Sequence, residues 1–318
     1  MLPEITLADI EAARRRLDDL IVRTPLIKLA IDDAPAEIWL KLENLQPIGS
    51  FKLRGAGNAM ALADTATLSA GVVTASAGNM AQGVAWHARR LGVPCTVIVP
   101  DTAPETKLAA IARLGARTVK VPRERWWEIV VSHDPGMPGL FVHPVGDAAV
   151  IAGNGTIGLE LLEDLPDFDT VIVPYGGGGL SCGIAAAVKA KRPEVRVYAC
   201  ELEHCPAFAA ALAAGEPVKI DYKPSFVDAM GSAGVLPEMW PLAKKLLDGS
   251  LQVDLDEVAA AIRLLLERQR VLAEGAGAAP VAAALAGRAG AGKIVCIVSG
   301  GNLDLKVLQR LLNGEALA

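Results

Sequence analysis

Short runs of apolar, mostly β-branched residues alternate along this chain with Ala-rich stretches whose apolar positions recur at helical spacing. GVVTAS (71–76), CTVIVP (95–100), RTVKVP (117–122) and LFVHP (140–144) form one series of predicted strands. TVIVPY (170–175), RVYACEL (196–202) and KIVCIVS (293–299) form a second. Helices are predicted between them, among them MAQGVAWHARRLG (80–92), PETKLAAIARLG (104–115) and LSCGIAAAVKAK (180–191). Apolar strands separated by helices imply parallel sheets covered on both sides. Two series imply two lobes, each an open twisted sheet with helices on both faces: an α/β fold. The smaller lobe is expected over 70–141 and the larger over 1–69 and 142–318. The opening MLPEITLADIEAARRRLDD reads as an amphipathic helix capped near Thr6. The stretch from Arg123 to Gly139, with Pro122, Pro135 and Pro138 around it, is expected to be irregular surface.

Composition narrows the class. At 52% hydrophobic and 21% charged, the 318 residues are those of a packed fold, not a disordered chain. With 31 Lys+Arg against 36 Asp+Glu there is no excess of basic charge, which argues against a nucleic-acid partner. The N-terminus lacks the basic-then-apolar order of a signal peptide, and the apolar stretch from Gly275 to Gly287 is too short to span a bilayer. A cytoplasmic protein with no membrane partner is expected. Cys95, Cys182, Cys200, Cys205 and Cys296 form no CxxC pair. Cys200, His204 and Cys205 lie close together, but no second ligand pair accompanies them, so no metal is expected.

Chemistry in such sheets gathers just beyond the carboxyl ends of strands. After TVIVPY comes GGGGLSCG (176–183) and then a helix. Glycines let backbone approach an anion, and a helix N-terminus offers free N–H groups, so this reads as a phosphate cradle. The dinucleotide pattern G-x-G-x-x-G fails, because Ser181 or Cys182 falls at its third glycine. Glu201, ending the next strand, keeps a nicotinamide-dependent oxidoreductase open, and a ligand-binding protein without catalysis is a further alternative. After GVVTAS comes AGNMAQG (77–83), where Asn79 and exposed N–H groups suit a carboxylate. After KIVCIVS, Ser299 offers a hydroxyl suited to a neutral ring nitrogen. In GSFKLRGAGN (49–58), Lys52 sits beside a phenylalanine among small residues. A lysine, a phosphate cradle and a neutral hydroxyl together suit pyridoxal 5'-phosphate, which has an aldehyde, a phosphate and a ring nitrogen.

TPLIKL, LKLENLQPIGSFKLRGA, TASAGNMAQGVA, GNGTIGLE, VPYGGGGLSCG, EGAGAAPVAAAL and VSGGN follow one another over nearly the whole length. In these segments the chain resembles the fold-type-II pyridoxal-phosphate enzymes, whose fold is tryptophan synthase β-like, and among them the threonine/serine dehydratase and serine racemase family. The resemblance implies that Lys52 forms the Schiff base with the cofactor and that Phe51 packs beside its ring. It implies that Asn79 bonds the ring hydroxyl, that Ser299 faces the pyridine nitrogen and that Glu274 lies nearby. Gly176, Gly177, Gly178, Gly179 and Leu180 would hold the phosphate through backbone amides. Ser76, Ala77, Gly78 and Asn79 would cradle the substrate carboxylate. The implied activity is a lyase reaction, β-elimination of a β-hydroxy amino acid such as L-threonine or L-serine to a 2-oxo acid and ammonia, in a homodimer. A racemase or a β-replacement enzyme is the alternative on the same scaffold.

The chain departs from the family pattern in places. Met80 replaces the histidine of SAGNH, SFVDAMGSAGVLPEMW (225–240) differs from the usual ADG pattern, and WWEIV (126–130) is unusual. Glu201 is followed six residues later by Ala207 where the family's metal signature has aspartate, so metal activation is not expected. Ala77 stands where the family's racemases carry a proton-donating serine, which favours deamination.

Overall fold

The computed structural model describes residues 2–315. Ten strands are placed in them: β1 (Leu26–Lys28), β2 (Glu37–Lys41), β3 (Val72–Ala75), β4 (Cys95–Pro100), β5 (Arg117–Val121), β6 (Leu140–Phe141), β7 (Thr170–Pro174), β8 (Arg196–Leu202), β9 (Gly249–Val253) and β10 (Lys293–Ile297). They form two sheets. One runs β5-β4-β3-β6, all parallel, and takes every strand from the first apolar series. The other runs β1-β2-β10-β7-β8-β9 and is parallel except for the antiparallel edge strand β1. The α/β architecture expected from alternating apolar runs is the one found.

Alternation within the strands covers the six-stranded sheet on both faces. Val171, Val173, Val295 and Ile297 pack on one side with Ile10, Ile151 and Cys182 from three helices. Ile172, Ile294 and Cys296 pack on the other with Val258, Ile262 and the small residues of helix Gly275–Leu285. Each such Val or Ile contributes about 1.5–3 kcal/mol on burial. All five cysteines are reduced and buried; Cys200 and Cys205 lie in the second of these clusters as small apolar groups.

Thr6 caps the helix Leu7–Leu17 in a capping box: its hydroxyl accepts from Asp9 N–H (3.2 Å) and Asp9 accepts from Thr6 N–H (2.9 Å). The structure corrects one expectation. Residues 123–132, read as irregular surface, form the helix Arg123–Ser132. Pro122 precedes it, where a missing N–H costs nothing, Ile129 and Val130 pack with Val73 and Ile98, and His133 ends it in the left-handed region. The prolines bound this helix and do not interrupt it.

The start of helix Lys52–Leu62 is anchored by buried charge. Arg54 donates through Nε and Nη2 to Glu43 (2.8 and 2.7 Å), and through Nη1 and Nη2 to Glu160 (2.6 and 2.9 Å). Lys41 adds bonds to Glu160 (2.5 Å) and to the Thr24 carbonyl (2.7 Å). Glu43 precedes Lys52 in the chain and Glu160 lies on helix Ala148–Asp164, so the guanidinium ties the turn before the lysine to a core helix.

Candidate active site

Lys52 is the first residue of its helix. Phe51 N–H donates to the Ser299 carbonyl (3.0 Å), and Ser50 pairs with Gly300 in an antiparallel bridge. The chain leading into the lysine is thereby stitched to the loop after β10. The half-buried Lys52 Nζ donates to the Pro144 carbonyl (2.6 Å) and lies 5.2 Å from the centre of the Phe51 ring. No carboxylate pairs with it among the described residues, and burial pushes its pKa down to about 8. An amine that sheds its proton this close to neutrality can act as nucleophile and base.

The glycine loop comes to the same place by way of the 144–146 turn. A side chain on Gly177 would meet Val145 at 2.5 Å, and one on Gly179 would meet the Val145 carbonyl at 3.0 Å. Gly178 holds a φ of +94°, which an L side chain rarely adopts. Helix Gly179–Lys191 begins there, and the N–H groups of residues 176–181 have no protein acceptor among the described residues. A run of backbone donors between strand and helix is an anion nest. Leu180 turns its side chain into the core and leaves only backbone to the loop.

Ser299 and Glu274 are buried. Glu274 accepts from Asn79 Nδ2 (2.7 Å), and Asn79 Oδ1 accepts from Asn302 Nδ2 (2.8 Å), which also bonds the Ile48 carbonyl (2.9 Å). Asn79 is thus oriented from both ends. Burial, reinforced by the charge of Asp228, pushes the Glu274 carboxyl up to about 7, against the hydrogen bond from Asn79. Ser76 to Gly78 form the turn between β3 and helix Asn79–Leu91, and a side chain on Gly83 of that helix would meet the Lys52 carbonyl at 3.0 Å. Ser76 Oγ is folded back to accept from Gly78 N–H (3.2 Å), and half-buried Ala77 packs beside the core of the four-stranded sheet.

The departures also find places. Met80 is fully buried in that core. Met230 and Met239 of the 225–240 segment wall the glycine loop beside Gly176 and Gly178. Both oxygens of Glu201 are taken up, by Phe208 N–H (2.7 Å), Ala209 N–H (2.9 Å) and Ser250 Oγ (2.6 Å), so it closes a helix start and is not free to grip a ribose. Two parts of the site were absent from the sequence reading: Asn302, although its SGGN motif was noted, and the turn 144–146. The strand-end rule that singled out the other loops applies equally after β6, which was predicted as LFVHP (140–144); the observed strand is only Leu140–Phe141, so the turn begins earlier than that prediction placed it.

A nucleophilic lysine at a helix start, with an anion nest and a buried hydroxyl beyond two strand ends of an α/β fold, defines a pyridoxal-phosphate enzyme site. The sequence profile described as "Pyridoxal-phosphate dependent enzyme" matches residues 17–300, and the chain belongs to that family. Its cofactor is pyridoxal phosphate, and the donor set fits: backbone amides for the phosphate, an amine for the aldehyde, and the Ser299 hydroxyl for the ring nitrogen. L-threonine ammonia-lyase of Thermotoga maritima is 42% identical over 314 residues, covering 97% of this chain and 78% of that protein. The corresponding enzyme of Geobacter sulfurreducens is 41% identical over 310 residues, 94% of this chain and 76% of its own. Maize serine racemase superposes with a TM-score of 0.88 at 32% identity over 97% of both chains. The processed threonine deaminase isoform 2 of Solanum lycopersicum does so with 0.87 at 32% identity, over 96% of this chain and 91% of that one.

Proposed function

We propose that this chain is an ammonia-lyase of the threonine/serine dehydratase type, converting a β-hydroxy amino acid to a 2-oxo acid and ammonia. When bound, the cofactor supplies an aldehyde for the substrate's amino group and a sink for electrons at its α-carbon. Lys52 holds the cofactor and, once released from it, takes the α-proton. Phe51 packs beside the ring, Asn79 bonds the ring hydroxyl with Glu274 behind it, and Ser299 faces the pyridine nitrogen. The amides of Gly176, Gly177, Gly178, Gly179 and Leu180 hold the phosphate. Ser76, Ala77, Gly78 and Asn79 receive the substrate carboxylate. The same reading takes 70–141 as the smaller lobe, supported by the span of the four-stranded sheet, and the enzyme as a cytoplasmic homodimer. No helix among the described residues is long and apolar enough to cross a membrane.

One observation favours elimination over racemisation. Returning a proton to the opposite face of the α-carbon needs an acid on the 76–79 loop. Ala77 has no exchangeable proton, and Ser76 is turned back onto Gly78 N–H. Incubation of the holoenzyme with L-threonine and L-serine, with 2-oxo acid measured alongside chiral analysis of residual serine, tests the reading. Pyruvate should form much faster than D-serine; D-serine appearing as fast would make the enzyme a racemase. Borohydride reduction should fix the cofactor on Lys52, and a label on any other residue would remove the lysine assignment.

A further inference from the structure

The 144–146 turn begins at a histidine that this reaction leaves unused. His143 is buried, and its Nδ1 faces two backbone donors, Val145 N–H (3.1 Å) and Gly146 N–H (2.6 Å). Its Nε2 lies 2.8 Å from the Val130 carbonyl. A neutral imidazole has one donor and one acceptor nitrogen, so these neighbours select the tautomer with hydrogen on Nε2. His133 stacks on the ring with centroids 4.0 Å apart and planes 4° from parallel, and Phe141 meets it edge-on. His133 Nε2 lies 3.3 Å from Glu238 Oε1.

The three groups His133, His143 and Glu238 are close enough to suggest a metal site. The geometry rejects it. Lone pairs of parallel stacked rings lie in parallel planes and do not converge on one ion, and both His143 nitrogens are already engaged.

We propose instead that His143 is a positioning residue for Lys52. By accepting two successive N–H groups at Nδ1 it sets the turn that presents the Pro144 carbonyl to Nζ and the Val145 side chain to Gly177. The inference rests on Lys52 as the cofactor lysine. A carbonyl can orient an amine without favouring its charged form as a carboxylate would. A protonated His143 would aim a third N–H at the two donors of the turn and release it. Burial, with His133 and Lys52 as neighbouring charges, pushes its pKa down to about 4. Glu238, the acid grouped with the two histidines among the described residues, is engaged with His133. The acceptor therefore persists through the neutral range.

His143→Asn places an amide oxygen near the Nδ1 position and keeps the acceptor; His143→Leu removes it at similar size. With the full-length chain, equilibrium dialysis gives cofactor affinity, and kcat against pH at saturating cofactor reports the Lys52 amine. Losing two hydrogen bonds is expected to weaken cofactor binding about tenfold in the Leu variant and to shift the acidic limb of its profile. The Asn variant should stay within about threefold of wild type with an unshifted limb. If the Leu variant does not fold, His143→Gln, whose oxygen reaches past the Nδ1 position, takes its place in the comparison. Equal affinities and equal limbs in the acceptor-keeping and acceptor-losing variants would overturn the proposal. Failure of the lysine reading would appear separately, as a wild-type chain that borohydride does not label at Lys52.

Discussion

Tyr175 is fully buried beneath the glycine loop, stacked on Phe208, and its hydroxyl has no hydrogen-bond partner among the described residues. An orphaned buried hydroxyl costs about 1–3 kcal/mol. Tyr175→Phe is therefore expected to stabilise the protein by about 1 kcal/mol, read as a higher urea midpoint at unchanged slope. Glu274 makes a second prediction. Its folded pKa of about 7 lies above the 4.5 of the free carboxyl, so its contribution is fully present below 4.5 and is lost as pH rises through 7. Glu274→Gln keeps an acceptor for Asn79 without the titration. Between pH 5 and 8, wild-type stability should fall relative to the Gln variant by up to about 3 kcal/mol, and parallel curves would contradict the raised pKa. Ser299 was legible in the sequence because strand-end position and residue type coincide there, and Lys52 because it stands beside a phenylalanine among small residues at a helix start. The partner of Asn79 was not: Asn302 lies 223 positions away, and only folding makes them neighbours.

At the scale of elements, long apolar runs announced their strands, while β1, β2 and β9 did not announce themselves. β1 has three residues, and β2 and β9 mix polar with apolar positions, as EIWLK and GSLQV. They become strands because a neighbour already offers an edge: β2 pairs with β10 and β9 with β8. Helix Lys52–Leu62 shows the same dependence on distant residues, since Arg54 in its first turn meets Glu160 at 2.6 Å across 106 positions. Glu160→Leu leaves Lys41 short of a partner and removes the two bonds that Arg54 makes to Glu160, in a region closed to water. Removing one partner of a buried pair costs about 3–5 kcal/mol, so chemical denaturation should show a loss of that order. A change below about 1 kcal/mol would mean water reaches the cluster.

Across the whole molecule, the two sheets are joined at the site by few polar contacts. Asn79 bridges to Glu274 and Asn302, and Lys107 pairs with Asp228 (2.6 Å). The Lys107–Asp228 pair is partly exposed and contributes little, about 0–1 kcal/mol. The Asn302 bridge is a different matter, because it fixes which end of the Asn79 amide faces Glu274. Asn302→Ala is expected to lower cofactor affinity about five- to tenfold with global stability changed by less than about 1.5 kcal/mol. An unaltered dissociation constant would show that Glu274 alone orients Asn79.

The order of strands has a consequence for how the protein is made. The four strands of one sheet are contiguous, from 72 to 141, and can assemble as soon as they leave the ribosome. The other sheet cannot, because its inner strand β10, between β2 and β7, is the last of the ten to be synthesised. Until residue 297 emerges, β2 and β7 expose unpaired edges that invite association with other nascent chains. Ser299 and Gly300 follow directly, and with them the backbone that stitches Lys52 in place. Cofactor capture is thus withheld until β10 and the residues just after it have been translated.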